Sequence, residues 1–239
     1  MFNFLRMSAE VKPSTETRWL TYFTKYETHT PLNRLWMKEL KAWVLDRPRL
    51  AQSRLLDYGC GHFDLGLQIS SNVGGIDGYD ANTPLVLELK SRLQRELPTT
   101  LVFPKTDDIP LATYDLIVMN SVSQYLGTRE NLRMFFRRAR QWSKPSGELL
   151  ISDIIPVPYS PARDAIRSLV FSSLHGMLLP MIRHLYFAVR NPSDTSFLQI
   201  YAEELFALAH TEGWKGKRLP RNLTPSNARY TAHFTQDTQ

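Results

Sequence analysis

The sequence predicts a doubly wound α/β fold, in which helices cover both faces of a mostly parallel β-sheet. Short apolar runs and amphipathic runs alternate over residues 51–155, and this alternation is typical of consecutive βαβ units. A glycine turn directly follows the first apolar run, at the point where such sheets bind ligands. The 239 residues suffice for one such domain with additional helices.

The predicted strands are short and mostly apolar, and the fourth is apolar enough to lie at the centre of the sheet. They cover residues 54–58, 75–79, 100–103, 114–119 and 147–152. Between them, amphipathic spacing predicts helices over residues 63–71, 84–97 and 131–142. A further helix over residues 201–212 precedes a final strand pair, predicted at residues 214–219 and 229–234.

Two regions lie outside this alternation. Residues 1–50 predict an N-terminal helical cap that ends at Pro48, and residues 51–239 predict the ligand-binding domain. Residues 156–198 are apolar and carry several arginines, which predicts a helical insert of two helices broken near Pro180. We expect this insert to form a lid; a core role, a dimer contact and a peripheral membrane contact are the alternatives.

Composition excludes several kinds of site. The formal net charge is +6 and 43% of the residues are hydrophobic, an ordinary balance with a moderate basic bias. Cys60 is the only cysteine, so an internal disulfide framework and a cysteine-rich zinc site are excluded. No histidine pair has metal-ligand spacing with a carboxylate partner, and we predict no metal. Without a signal-peptide pattern or a membrane-spanning run, a cytoplasmic protein is expected.

The turn after the first strand reads Asp57-Tyr-Gly59-Cys-Gly61-His-Phe63-Asp64. Glycine permits a positive φ there and lets a ligand approach the backbone. A dinucleotide-binding turn needs glycine or alanine at the position of Asp64, and a carboxylate at a helix N-terminus competes with phosphate for the same amides. Because Asp57 adds a second negative charge, the turn favours a cofactor with cationic groups and no phosphate.

Further carboxylates follow the next two strands. Asp80 comes about 20 residues after Gly59, where a carboxylate can accept hydrogen bonds from both ribose hydroxyls. The third strand leads into Asp107-Asp108-Ile109-Pro110, where an acidic side chain can accept from an adenine amino group and a backbone amide can meet the ring. S-adenosylmethionine combines ribose and adenine with an ammonium and a sulfonium group, and it has no phosphate.

In this order, the segments resemble the motifs of class I S-adenosylmethionine-dependent methyltransferases over about residues 50–155. The similar segments are Asp57-x-Gly59-x-Gly61, Gly78-Tyr-Asp80-Ala81-Asn82, the adenine loop Asp107-Asp108-Ile109-Pro110, and the fourth strand with Asn120-Ser-Val-Ser-Gln124-Tyr125. The resemblance implies a Rossmann-like fold with the seven-stranded sheet of these methyltransferases, and S-adenosylmethionine as the cofactor. It also implies a cofactor site made of Asp57, Gly59, Gly61, Asp80, Ala81, Asp107, Asp108, Ile109 and Asn120.

The sequence departs from the family pattern at two places. Phe63 stands where a third glycine is frequent in the first motif, and Gln124-Tyr125 stand where paired histidines are frequent after the fourth strand. The segment after that strand is similar to methyltransferase domains of nonribosomal peptide synthetases and other natural-product enzymes. The resemblance thus implies a small-molecule acceptor in secondary metabolism, with Gln124 and Tyr125 in its pocket and the insert 156–198 as an apolar lid.

Other functions are weighed against this one. The predicted helix 129–144 has a basic face, made of Arg129, Arg133, Arg137, Arg140 and Lys144. A solvated face is the favoured interpretation, and an RNA or protein methyltransferase is the alternative. A non-catalytic scaffold with a methyltransferase fold is supported by Phe63 alone, and a nicotinamide oxidoreductase is disfavoured by Asp64. We expect a monomer or homodimer that binds no nucleic acid.

Overall fold

Seven strands form one sheet in the computed structural model, which describes residues 35–190 and 197–237. They are β1 (Arg54–Tyr58), β2 (Gly75–Tyr79), β3 (Val102–Phe103), β4 (Tyr114–Asn120), β5 (Ser143–Ile154), β6 (Trp214–Arg218) and β7 (Tyr230–Gln236). Their order is β3-β2-β1-β4-β5-β7-β6. The first five strands are parallel, whereas β7 runs antiparallel to both of its neighbours. The predicted doubly wound sheet of seven strands is confirmed.

Helices cover both faces of this sheet. They are α1 (Lys38–Leu45), α2 (Asp64–Ile69), α3 (Thr83–Glu96), α4 (Arg129–Trp142), α5 (Pro161–Leu174), α6 (Leu178–Arg190) and α7 (Ala202–Thr211). Successive strand residues face opposite layers: Leu55 packs in the core under α1, α2 and α3, and Leu56 packs in the core under α4 and α7. Burial on both faces explains why the central strands are apolar throughout.

The order of strands brings the ends of β1 and β4 together at the centre of the sheet. Both strands run in the same direction, and the chain leaves β1 and β4 towards opposite layers. This reversal is the switch point beyond which open α/β sheets bind ligands. The turn at residues 59–63 and the segment 120–126 therefore lie on the same edge of the sheet.

The helical insert follows β5, as predicted, but its break is not at Pro180. The two helices α5 and α6 are separated at residues 175–177, and Pro180 lies in the first turn of α6. Proline is tolerated there because its missing amide would have no partner within the helix. The two predicted helices are present, and their break lies just before Pro180. Among the described helices, none has both the length and the apolarity that a bilayer crossing requires.

Part of the predicted N-terminal cap is attached to the sheet. Residues 1–34 lie outside the described residues, and α1 buries Leu40 and Val44 in the core. Arg47, just after α1, donates to Oε1 of Glu148 at 2.7 Å, and Nε2 of His233 lies 2.7 Å from Oε2 of the same carboxylate. Burial raises the pKa of Glu148, but these two partners outweigh it and the pKa lies below its ordinary value. The division at residue 50 stays a prediction.

Candidate active site

The glycine turn is held against the second strand by two backbone hydrogen bonds. The amides of Gly59 and Cys60 both donate to the carbonyl of Tyr79, at 2.7 and 2.9 Å. Gly59 has a φ of +80°, and a Cβ there would lie only 2.4 Å from Cγ2 of Val122. Glycine is therefore required both by the backbone conformation and by the close approach of the segment after β4.

Gly61 and Asp80 connect the turn to the end of β2. The amide of Gly61 donates to Oδ2 of Asp80 at 2.9 Å, and the amide of Asn82 donates to Oδ1 at 2.8 Å. Burial raises the pKa of Asp80, against the lowering effect of these two bonds. No atom of the residues that the structure describes lies within 4 Å of a Cβ built on Gly61, so the space beside the turn is open to a ligand.

Asp57, at the end of β1, is a buried carboxylate, one oxygen of which lacks a hydrogen-bond donor in the described part of the chain. Among the described residues, no group donates a hydrogen bond to its Oδ2 atom. Burial raises its pKa to about 7, and the negative charges of Asp80 and Asp64 add to the shift. A buried oxygen without a donor costs free energy, which a cationic ligand group would offset.

The neighbouring strand shows what a satisfied buried aspartate looks like. Asp77, in the middle of β2, receives two hydrogen bonds of 2.9 Å from the Arg54 guanidinium. The hydroxyl of Tyr114 and the amide of Leu101 donate to the same carboxylate, also at 2.9 Å. Asp77 has a structural role in joining the strands, whereas Asp57 has no such set of donors.

Phe63 does not close the open space beside Gly61. Its backbone is left-handed, with a φ of +64°, which explains why glycine is frequent at this position. Its ring is fully buried between α2 and β2, where a Cβ on Gly66 or Gly78 would lie 2.2 or 3.1 Å from ring atoms. The phenylalanine fits because these two glycines have no side chains. Phe63 was the only support for a non-catalytic scaffold, and that support is removed.

The adenine loop follows β3 on the same edge of the sheet. Asp107 and Asp108 are both exposed, and Ile109 is buried in the core. Oδ1 of Asp107 forms an ion pair with Nη1 of Arg138 at 3.1 Å, so this carboxylate is engaged by α4. Ala81 lies in the bend before α3. The structure brings all these positions to the predicted edge, and their contacts with a cofactor stay predictions.

The ends of β4 and β5 are joined by unusual backbone geometry. Ser121 and Asp153 both have a left-handed φ, at +57° and +65°, although neither is a glycine. The Ser121 hydroxyl donates to Oδ2 of Asp153 at 2.8 Å, and the Ser152 hydroxyl donates to Oδ1 of Asn120 at 2.6 Å. Non-glycine residues in this conformation store strain, and such strain is concentrated at functional sites.

The predicted acceptor residues lie in the 3-10 turn that follows. Gln124 is buried; its Nε2 donates to the carbonyl of Ser121 at 2.8 Å, and its Oε1 has no donor among the described residues. The ring of Tyr125 meets that of Phe197 edge to face, with centroids 5.5 Å apart. The carbonyl of Gln124 also accepts from the amide of Leu198 at 2.9 Å, so the end of the insert is attached beside these residues.

A buried ionic cluster, which we call the Arg229 cluster, fixes the other end of the insert. Arg229 donates to Asp153 at 2.6 Å and to Asp164 of α5 at 2.7 Å, and the Tyr159 hydroxyl donates to Asp164 at 2.5 Å. Burial lowers the pKa of Arg229 and raises that of Asp164, but the charge attraction reverses both shifts. Burial also raises the pKa of Tyr159, to about 12. This cluster was not predicted from the sequence. Its one sequence signal is Asp164, a lone aspartate in a basic segment.

The basic face of α4 is used within the protein. Arg137 forms two hydrogen bonds with Glu212, at 2.9 and 3.1 Å, and Arg129 donates to Glu204 of α7 at 3.0 Å. Arg133 pairs with Glu130 at 2.9 Å. These arginines attach α7 to α4, which weakens the alternative of an RNA-binding face. In the described part of the chain, no three His, Cys, Asp or Glu side chains group as metal ligands.

No protein-family model matches the chain, and no curated protein sequence matches it. Solved structures do. Magnesium protoporphyrin IX methyltransferase from Synechocystis, crystallised with S-adenosylhomocysteine, is 15% identical, with a TM-score of 0.58 over 92% of this chain and 93% of that one. A methyltransferase from Aquifex aeolicus is 14% identical, with a TM-score of 0.59 over 92% of this chain and 98% of that one. A methyltransferase from Leishmania major is 15% identical, with a TM-score of 0.61 over 93% of this chain and 82% of that one. Identities this low show a shared fold: that of S-adenosylmethionine-dependent methyltransferases.

Proposed function

We propose that this protein transfers a methyl group from S-adenosylmethionine to a small apolar acceptor. One observation carries the proposal: the carboxylate of Asp80 is bound to the amide of Gly61, beside the open space there, and the buried Oδ2 atom of Asp57 on the adjacent strand has no donor among the described residues. The site offers negative charge and hydrogen-bond acceptors at the end of a strand, and no cradle for phosphate. The fold shared with methyltransferases supports the same conclusion.

Each part of the cofactor has a suitable group in the chain. Asp57 would attract the amino group, and Asp80 would accept from the ribose hydroxyls with the lone pairs that its two backbone bonds leave free. Of the two loop aspartates, Asp108 is the better acceptor for the adenine amino group, because Asp107 is paired with Arg138. The bound cofactor would supply a methyl group activated by a positively charged sulfur.

The chain's own contribution is to align the acceptor and exclude water. The segment from Asn120 to Tyr125 lies after β4, next to the turn that holds Gly59, and forms the wall along which an acceptor would approach. The buried Oε1 of Gln124 would accept a hydrogen bond from it. An amine acceptor needs only its neutral form, whereas a hydroxyl would need a base, and the amides of Asn120 and Gln124 cannot take a proton.

The insert 156–198 supports an apolar acceptor. Both of its ends are attached beside the candidate pocket, one through Leu198 and Gln124 and the other through the Arg229 cluster. A helical pair fixed in this way would shield the acceptor from water. The natural-product substrate and the cytoplasmic location predicted from the sequence stay predictions.

Calorimetric titration with S-adenosylhomocysteine tests the proposal, with NAD as the comparison ligand. We expect micromolar binding of the first and none of the second. Asp80→Ala should abolish binding and keep the fold, whereas Glu88→Gln, which changes an exposed carboxylate on α3, should leave the affinity unchanged. A protein that is folded but does not bind S-adenosylhomocysteine would refute the proposal.

A further inference from the structure

The two helices of the insert expose apolar side chains. On α5 they recur at every fourth residue, and on α6 the same spacing is accompanied by one further leucine, so each set lies mainly along one face of its helix. The exposed members are Ile166, Val170 and Leu174 on α5, and Leu178, Leu179, Ile182 and Tyr186 on α6. Ile166 is 62% exposed and Leu174 is 79% exposed. Leu174 is the last residue of α5 and Leu178 the first of α6, so exposed leucines flank the turn between the helices on both sides. Clustered exposed apolar side chains mark interaction sites.

Positive charge borders these side chains. On α5, Arg163 lies about one turn before Ile166, and Arg167 directly follows it. On α6, Arg183 directly follows Ile182. The one acidic residue of the two helices is Asp164, and it is buried and bound to Arg229. The exposed surface is therefore apolar and cationic, with no carboxylate of α5 or α6 to neutralise it.

We propose that the α5–α6 pair binds the surface of an anionic lipid bilayer. Apolar residues at the turn would enter the boundary between headgroups and acyl chains, and the arginines beside them would contact acidic headgroups. The charge distribution selects this partner over a second copy of the chain, because a symmetric pairing of this surface would bring like charges together. An RNA partner would leave the exposed leucines in contact with water.

Helix α5, which carries part of this exposed surface, is connected to the candidate acceptor site through the Arg229 cluster. Asp164 of α5 is bound to Arg229, which is bound to Asp153, and Asp153 accepts from Ser121 after β4. This series of contacts connects α5 with the segment after β4, where the candidate acceptor pocket is proposed. If the proposed methyl transfer is correct, the acceptor would be drawn from the bilayer; the lipid binding itself does not depend on that activity.

Vesicle co-sedimentation of the full chain tests the proposal. The vesicles are phosphatidylcholine alone, or phosphatidylcholine with about one third phosphatidylglycerol. Wild-type protein should bind the anionic vesicles roughly tenfold more strongly than the neutral ones. The double variant Leu174→Glu, Leu178→Glu should lose at least about tenfold in binding. The triple variant Arg163→Gln, Arg167→Gln, Arg183→Gln should lose the preference for anionic vesicles.

Two exposed leucines outside the insert provide matched controls. Leu87 is 61% exposed and Leu111 is 67% exposed, so Leu87→Glu and Leu111→Glu make the same chemical change at similar exposure. Both should bind vesicles like wild type. Failure of the wild-type chain to bind anionic vesicles, or equal loss in these controls, would overturn the proposal. The proposal would also be overturned if light scattering showed a dimer that Leu174→Glu dissociates, because a second copy of the chain would then cover the surface.

Discussion

Burial and the negative charge of Asp80 together raise the pKa of Asp57, on the neighbouring strand, to about 7. Asp57 lies in β1 and Asp80 directly follows β2, and the segments after these two paired strands are joined by the hydrogen bond from Gly61 to Asp80. A carboxylate in this state is partly protonated at neutral pH, and a cationic ligand beside it would lower its pKa again. Cofactor binding is thereby linked to proton release.

The first prediction concerns the pH dependence of that binding. If the ligand binds only the ionised form of Asp57, the Kd for S-adenosylhomocysteine should rise about tenfold between pH 8 and pH 6. Calorimetry in two buffers of different ionisation enthalpy should also show that about half a proton is released per bound ligand near pH 7. The variant Asp57→Asn serves as the control: its weaker binding should be independent of pH. A flat profile for the wild-type protein would contradict the role given to Asp57.

A second prediction concerns stability. The pKa of Asp57 is about 7 in the folded protein and near 3.8 ordinarily, so its ionised form destabilises the fold. This cost is absent below pH 4, grows as the pH rises to 7, and is constant above. Asp57→Asn should therefore raise the free energy of unfolding by about 1–3 kcal/mol at pH 8. At pH 4 the gain should vanish, and urea denaturation at both values measures the difference.

The matched control for this stability gain is Asp107→Asn. Asp107 is an exposed carboxylate in an ion pair with Arg138, so its loss should change the free energy of unfolding by less than about 1 kcal/mol. A gain at Asp57 that is equal at pH 4 and pH 8 would show that the removed cost is not that of a buried charge.

The third prediction concerns Phe63. Its ring is fully buried against Gly66 and Gly78, so Phe63→Ala should lower the free energy of unfolding by about 3–5 kcal/mol through the cavity it leaves. The folded variant should still bind S-adenosylhomocysteine within about threefold of the wild-type Kd, because the ring does not line the space at Gly61. Denaturation and calorimetry give the two numbers, and a large change in affinity with little change in stability would place the ring in the pocket.

The fold and much of the candidate site could be predicted from the sequence because their signals are local. The alternation of strands and helices, and the spacing of Asp57 and Asp80 around the glycine turn, are visible in short windows. The environment of Phe63 is not local, since it depends on Gly78 of the next strand. Asp164 and Arg229 are 65 residues apart in the chain, and their contact arises only when α5 packs beside the start of β7.

The last prediction concerns the Arg229 cluster. Arg229→Gln would leave Asp153 and Asp164 buried without their cation, and the free energy of unfolding at pH 8 should fall by about 3–5 kcal/mol. In the wild type, the lowered pKa of Asp164 contributes stability that is lost as the pH falls through that pKa. In the variant, the pKa of Asp164 should rise instead, so the deficit of the variant relative to wild type should shrink between pH 8 and pH 5. Arg137→Gln, which removes an exposed guanidinium paired with Glu212, is the control and should leave the free energy of unfolding nearly unchanged at either pH. Equal small losses in both variants would mean that the Arg229 cluster does not hold α5 to the sheet.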